Sequence, residues 1–162
     1  MRKILLLSFI VAFSLQMGCS KDPNRPADLP KLYSCSITIT QDGKPLEEAT
    51  VTLVSKTPAK FGTGTATTDA SGTATLKTYG YNGIPLGQYK VLIEKRGVEG
   101  ARESKNEYGD TIQVGGTIYQ YVDAQYVSER STPFEIDITE KGGKETFEVG
   151  APVRILLGRL GG

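Results

Sequence analysis

The chain has 162 residues, of which 19 are basic, 18 are acidic and none is histidine. The absence of histidine excludes Ser-His-Asp and Cys-His catalysis and most zinc sites. We therefore expect no catalytic residues, no metal and no other cofactor. A formal net charge of +1 gives no electrostatic reason to expect a nucleic-acid partner. The length suits one domain plus a short tether.

Residues 1–18 have the order of a secretory signal peptide. Two basic residues stand near the start, residues 4–15 are almost wholly apolar, and Gly18 places a small residue before Cys19. The apolar run is shorter than the roughly 20 residues that span a bilayer. The pattern resembles a bacterial lipoprotein signal, in which Cys19 becomes the lipidated N-terminus. This resemblance implies a lipid anchor in the bacterial envelope, and Ser20 favours the outer membrane.

An ordinary secretory signal, cut by the general signal peptidase, is the alternative. That peptidase prefers an Ala-x-Ala-like site, and no Ala-x-Ala occurs between Leu15 and Pro26. We therefore prefer lipidation at Cys19. Residues 19–31 then form the lipidated cysteine and a tether, which its three prolines predict to be extended and solvated.

Period-2 alternation of apolar and polar residues dominates residues 32–162. It is clear around Cys35 and clearest in the segment Phe134-Glu135-Ile136-Asp137-Ile138. Strict alternation predicts strands with one buried face, and turn residues separate the segments. The chain is therefore predicted to be all-β, a single antiparallel sandwich of about seven strands. Cys35 falls on an inward position, and a reactive thiol is the less favoured interpretation.

An ordered set of motifs carries a family resemblance across about residues 33–150. It comprises Gly43-Lys44-Pro45-Leu46, Thr68-Asp69-Ala70-Ser71-Gly72 and Pro85-Leu86-Gly87-Gln88-Tyr89. The order resembles the carboxypeptidase-regulatory-like domains of the transthyretin-like (prealbumin-like) sandwich, and in particular bacterial lipoproteins built on one such domain. The resemblance implies the fold and a surface location. Hydroxyisourate hydrolase has a similar fold but relies on histidines and a Tyr-Arg-Gly-Ser terminus, so that activity is not expected.

Each motif residue also has a structural explanation. Asp69 is predicted to form a turn that ends in a left-handed Gly72, rather than to bind calcium, because calcium loops place several oxygen ligands at alternate positions. Tyr89 is predicted to fill core volume while its hydroxyl bonds backbone at a corner.

An insertion at about 96–131 interrupts the strand pattern, with weak helical spacing over Ile118–Tyr126. One interpretation is a lid, in which Ile118, Val122 and Tyr126 fold back over the edge of the sandwich. The other is a binding surface, since tyrosines beside Gln and Asp are typical of sugar-stacking and protein-contact sites. The candidate surface residues are Tyr108, Tyr119, Tyr121 and Tyr126.

The sequence thus predicts a non-catalytic lipoprotein of the bacterial cell envelope that serves as an interaction or structural module. The alternative is a carbohydrate-binding module that uses the Tyr-rich 108–126 segment. The membrane is the expected partner through the N-terminal lipid, and the second partner is an envelope protein or a polysaccharide.

Overall fold

A computed structural model describes residues 23–160, so the predicted signal peptide and Cys19 lie outside the described residues. The described chain forms fifteen strands and one short 3₁₀ helix, Ala124–Tyr126. The strands are β1 (Cys35–Gln41), β2 (Lys44–Pro45), β3 (Thr50–Ser55), β4 (Thr63–Thr67), β5 (Thr73–Thr75), β6 (Lys77–Thr78), β7 (Tyr81–Asn82), β8 (Gly87–Glu94), β9 (Arg96–Glu99), β10 (Arg102–Lys105), β11 (Thr111–Val114), β12 (Thr117–Gln120), β13 (Glu135–Ile138), β14 (Gly143–Glu148) and β15 (Ile155–Arg159). Within residues 23–160 there is no helix with the length and hydropathy of a membrane span.

Two sheets enclose one hydrophobic core, which confirms the predicted all-β class. One sheet has the order β14-β1-β2, with β5 also paired to β1, and the other has the order β13-β8-β3-β4-β6-β7. Inward residues from both sheets share one buried cluster, and Ile37, Leu53 and Ile93 within it are 0% exposed. Alternate side chains of each strand thus face the same core, as period-2 patterning requires.

Pairing between the strands is antiparallel with one exception. β1 and β14 run parallel over six residue pairs, from Cys35↔Gly143 to Thr40↔Glu148. Parallel neighbours need a long connection, and the rest of the domain lies between these two strands. The strict antiparallel arrangement that the alternation predicts is therefore broken at this edge.

Strand β4 was not predicted from the sequence. Its inward positions hold Gly64 and Ala66, so the apolar alternation that marks the other strands is missing. Gly64 is required by packing, because a Cβ there would lie 2.1 Å from Cδ1 of the buried Ile84. The small residues of β4 leave room for the side chain of Ile84, which fills this part of the core.

Two predicted roles of the motif residues are confirmed. Asp69 Oδ1 accepts hydrogen bonds from the amides of Ser71 and Thr73 at 2.9 and 3.0 Å, and Gly72 has φ +73°. Tyr89 is 2% exposed, and its hydroxyl donates to the Pro85 carbonyl at 3.0 Å.

The insertion forms a β-ribbon rather than a helix. β9 pairs with β12, and the ribbon continues into the β10–β11 hairpin. β15 joins the base of the ribbon by pairing with β12. We call residues 96–121 together with β15 the arm. From Arg96 to Lys105 one side of the ribbon is about 30 Å long at roughly 3.3 Å per residue.

The end of the insertion does return to the core, as the lid interpretation predicts in part. Val122 is 0% exposed, and the Tyr126 ring stacks on Phe134 with centroids 5.0 Å apart. Ile118 instead belongs to the arm. The weak helical spacing over Ile118–Tyr126 corresponds to a helix only in the single 3₁₀ turn Ala124–Tyr126. Ile118 lies in the strand β12 instead.

The described part of the tether contacts the sandwich. Leu29 is 8% exposed, Arg25 lies over the Tyr81 ring at 5.2 Å, and Asp28 forms an ion pair with Lys60. This segment is therefore not the extended, solvated chain that its prolines predict, because Leu29 is buried and Arg25 and Asp28 contact side chains of the sandwich.

Candidate functional site

The two ends of the sandwich differ in shape and in surface chemistry. β8 runs between them for about 25 Å, from Gly87 at one end to Glu94 at the other, where the chain continues into the arm. The N-terminal segment lies at the Gly87 end, since Asp28, Lys60 and Gly87 line the same cleft. We call this end the cleft end. The arm and the N-terminal segment therefore occupy opposite ends of the domain.

The arm places two of the four predicted tyrosines side by side. Tyr119 and Tyr121 alternate along one strand edge, so both rings lie on the same face with centroids 6.5 Å apart. The Tyr121 ring covers Gly97, where a Cβ would come within 2.9 Å of Cε2. Glycine at this position lets the ring lie flat against the sheet.

A charged pair fixes the orientation of these tyrosines. The Tyr121 hydroxyl donates to Glu99 Oε1 at 2.7 Å, and Arg154 forms an ion pair with the same carboxylate. The Arg154 guanidinium also lies 3.9 Å from the Tyr119 ring centroid, which is a cation–π contact. The hydrogen bond from Arg154 lowers the pKa of Glu99. The hydrogen bond to Glu99 raises the pKa of Tyr121.

The other two predicted tyrosines lie elsewhere. Tyr126 packs its ring on Phe134 at the core, as described above. Tyr108 is 82% exposed in the turn of the β10–β11 hairpin, where the Asn106 side chain accepts from the amides of Tyr108 and Asp110. The four tyrosines therefore do not form one surface, and only Tyr119 and Tyr121 act together.

Sequence reasoning did not find the exposed aliphatic side chains of the arm. At the end of the chain, Leu156 and Leu157 are 61% and 48% exposed, on the edge strand β15. Val98 and Ile112 are also exposed, at 42% and 38%. The alternation at residues 152–157 predicted a strand, but it gave no sign that the strand lies outside the core. Exposed apolar side chains beside unpaired strand edges are typical of interaction surfaces.

Two other candidate chemistries find no support in the geometry. Burial raises the pKa of the Cys35 thiol to about 12, and Cys35 is 1% exposed, so it behaves as a small core residue. Across residues 23–160, no three acidic or cysteine side chains are grouped to hold a metal ion. The Asp69 carboxylate is already used within its own turn.

The cleft end has an open cavity of about 450 Å³, within the size range of ligand sites. Its walls come from the N-terminal segment, the β3–β4 loop and the residues leading into β8. The apolar lining includes Pro30, Phe61, Pro85 and Leu86. The Lys60–Asp28 ion pair joins two of the walls.

Comparisons with protein-family models, with curated proteins and with solved structures find no match to this chain.

Proposed function

We propose that this protein is a non-catalytic lipoprotein of the bacterial outer membrane that binds a partner protein through its arm. The observation that carries the proposal is the position of the arm. It lies at the end of the sandwich opposite the N-terminal segment, and it exposes Leu156, Leu157, Val98 and Ile112. A lipid on Cys19 would hold the other end, so the arm would face away from the bilayer.

The unpaired edges of the arm support a protein partner. Among residues 23–160, β9 and β15 pair with no strand other than β12, so within this part of the chain their outer sides leave backbone donors and acceptors open. An extended segment of another chain can pair with such an edge, and neighbouring apolar side chains then contribute specificity. Burial of a side chain of the size of Leu156 contributes about 1.5–3 kcal/mol.

We also propose that the sandwich is transthyretin-like. The ordered motifs support this, since the Asp69–Gly72 turn and the Tyr89 corner occupy structural positions that suit their chemistry.

The test is cross-linking in intact cells with arm variants. Leu156→Asp and Ile112→Asp should abolish recovery of a partner that the unaltered protein captures, because each replaces an exposed apolar side chain of the arm with a carboxylate. Thr67→Asp is the matched control, since Thr67 is an exposed strand residue of the sandwich that lies outside both the arm and the lining of the cleft. Partner recovery that persists in both arm variants, with all proteins folded, would contradict the proposal.

Carbohydrate binding is the second candidate, and the Tyr119–Tyr121 pair favours it. Rings fixed against a sheet, with Glu99 and Arg154 beside them, provide a stacking face and hydrogen-bonding groups. We expect Tyr121→Ala to abolish retention on a polysaccharide column while the free energy of unfolding changes little, because Tyr121 is partly exposed. Unchanged retention of a folded Tyr121→Ala protein would remove this candidate.

A further inference from the structure

The N-terminal segment leaves the fold at the cleft end. Leu29 is buried against the sandwich, and Asp28 is paired with Lys60 at the rim of the cleft. Cys19 precedes Asp28 by nine residues, which span at most about 30 Å. A lipid attached to Cys19 therefore keeps the cleft end within about 30 Å of the bilayer.

The cleft end also exposes two large apolar or aromatic side chains. Leu86 is 49% exposed and Tyr79 is 64% exposed. Phe61 is buried, at 6% exposed; it lines the cleft together with Leu86 and meets the Tyr79 ring edge-on at 5.2 Å. A tyrosine ring has an apolar body and a polar tip, which suits the interface between lipid headgroups and acyl chains.

Tyr79 has an unfavourable backbone conformation for its residue type. It has φ +51° and is followed by Gly80 at φ +84°, so it occupies the first central position of a tight hairpin turn. Asparagine, aspartate or glycine is preferred there. A bulky side chain in the left-handed region costs of order 1–2 kcal/mol. Strained residues cluster at functional sites, which supports a role for the exposed Tyr79 ring, although Asp42 and Glu48 have a similar φ.

Two lysines at this end are neutralised by ion pairs, Lys60 with Asp28 and Lys56 with Glu135. Arg25 and Lys31 instead lie over the rings of Tyr81 and Tyr33. With a bilayer of zwitterionic lipid, which has no net charge, contact would depend on apolar burial.

We propose that the cleft end is a membrane-contact surface. Tyr79 and Leu86 enter the interfacial layer of the bilayer that holds the lipid anchor, and the arm points away from that bilayer. The inference rests on the lipid anchor of the proposed function, and it adds an orientation that a flexible anchor alone does not impose.

Tryptophan fluorescence tests this orientation directly, because the natural chain contains no tryptophan. Full-length lipidated protein carrying Leu86→Trp or Tyr79→Trp is reconstituted into phosphatidylcholine vesicles with or without brominated acyl chains. We expect a blue shift and a loss of emission with the brominated lipid for both reporters. Tyr108→Trp, at the tip of the arm, is the matched control and should show neither.

Flotation of the same samples with the vesicles separates the possible failures. If the protein floats but neither cleft-end reporter is quenched, the contact is overturned and the anchor stands; the cleft would then be open to a protein or a small ligand. If Tyr108→Trp is quenched as strongly as the others, the orientation is overturned. Protein that does not float contradicts the anchor itself, and the contact inference falls with it.

Discussion

Replacing Thr68 with valine should lower the free energy of unfolding by about 2–4 kcal/mol. Thr68 is 3% exposed. Its Oγ1 accepts from the Ala49 amide at 2.8 Å and donates to the Leu46 carbonyl at 2.6 Å. Valine keeps the shape but provides no hydrogen bond, so two buried backbone groups lose their partner at about 1–3 kcal/mol each. Urea unfolding followed by far-ultraviolet circular dichroism measures the change.

Thr67→Val is the matched control for that experiment. Thr67 is the preceding residue, at the end of β4, and its side chain is exposed. Its substitution should change the free energy of unfolding by no more than about 0.5 kcal/mol. Equal effects of the two substitutions would show that the Thr68 hydrogen bonds do not hold the Leu46–Ala49 segment in place.

Those two threonines also show what the sequence can and cannot predict. Alternation identified the strands that fill the core, and Cys35, Ile37 and Ile39 are all buried as predicted. The pattern cannot distinguish Thr67 from Thr68, because both are polar residues in a run of alternating threonines. Burial of Thr68 depends on the loop at Leu46–Ala49, which is distant in sequence and offers it two backbone partners.

The arm was not predicted because its stability comes from pairing at long range. β12 is held by β9 on one side and by β15 on the other, and β15 lies more than 30 residues further along the chain. The pattern of apolar and polar residues within 96–131 therefore cannot indicate β15, which lies outside that segment. The tyrosine pair was predictable as alternating residues at 119 and 121, whereas their link to Arg154 and Glu99 was not.

The same long-range contacts connect the arm to the sandwich. Gln41, at the end of β1, donates from Nε2 to the Tyr121 carbonyl at 2.9 Å. The Tyr121 amide in turn donates to the Lys95 carbonyl at 2.8 Å. Residues directly after the tyrosine pair then enter the core at Val122. The base of the arm is therefore fixed to the sandwich, and Gly100, Gly115 and Gly116, all at positive φ, lie where the ribbon passes into the β10–β11 hairpin.

Cys19→Ala should move the protein from the membrane fraction to the soluble fraction. Cys19 lies outside the described residues, so this prediction comes from its place after the apolar run. Each buried methylene of an acyl chain contributes about 0.8 kcal/mol to membrane binding, so several chains anchor a protein almost permanently. Contact through Tyr79 and Leu86 alone is far smaller, and it should not retain the protein. Fractionation with metabolic labelling by a fatty-acid analogue measures both partitioning and lipid attachment.

Cys35→Ala provides the matched control, since the chain has only these two cysteines. Cys35 is 1% exposed in the core, so it is not accessible to acylation, and its loss removes only one buried sulfur atom. The Cys35→Ala protein should keep its label and stay with the membrane. If the unaltered protein takes up no label and Cys19→Ala stays in the membrane fraction as the unaltered protein does, the signal is not of the lipoprotein type. If Cys19→Ala loses the label but stays with the membrane, Cys19 is acylated and a second contact retains the protein; the cleft end with its exposed Tyr79 and Leu86 would then be the first surface to alter.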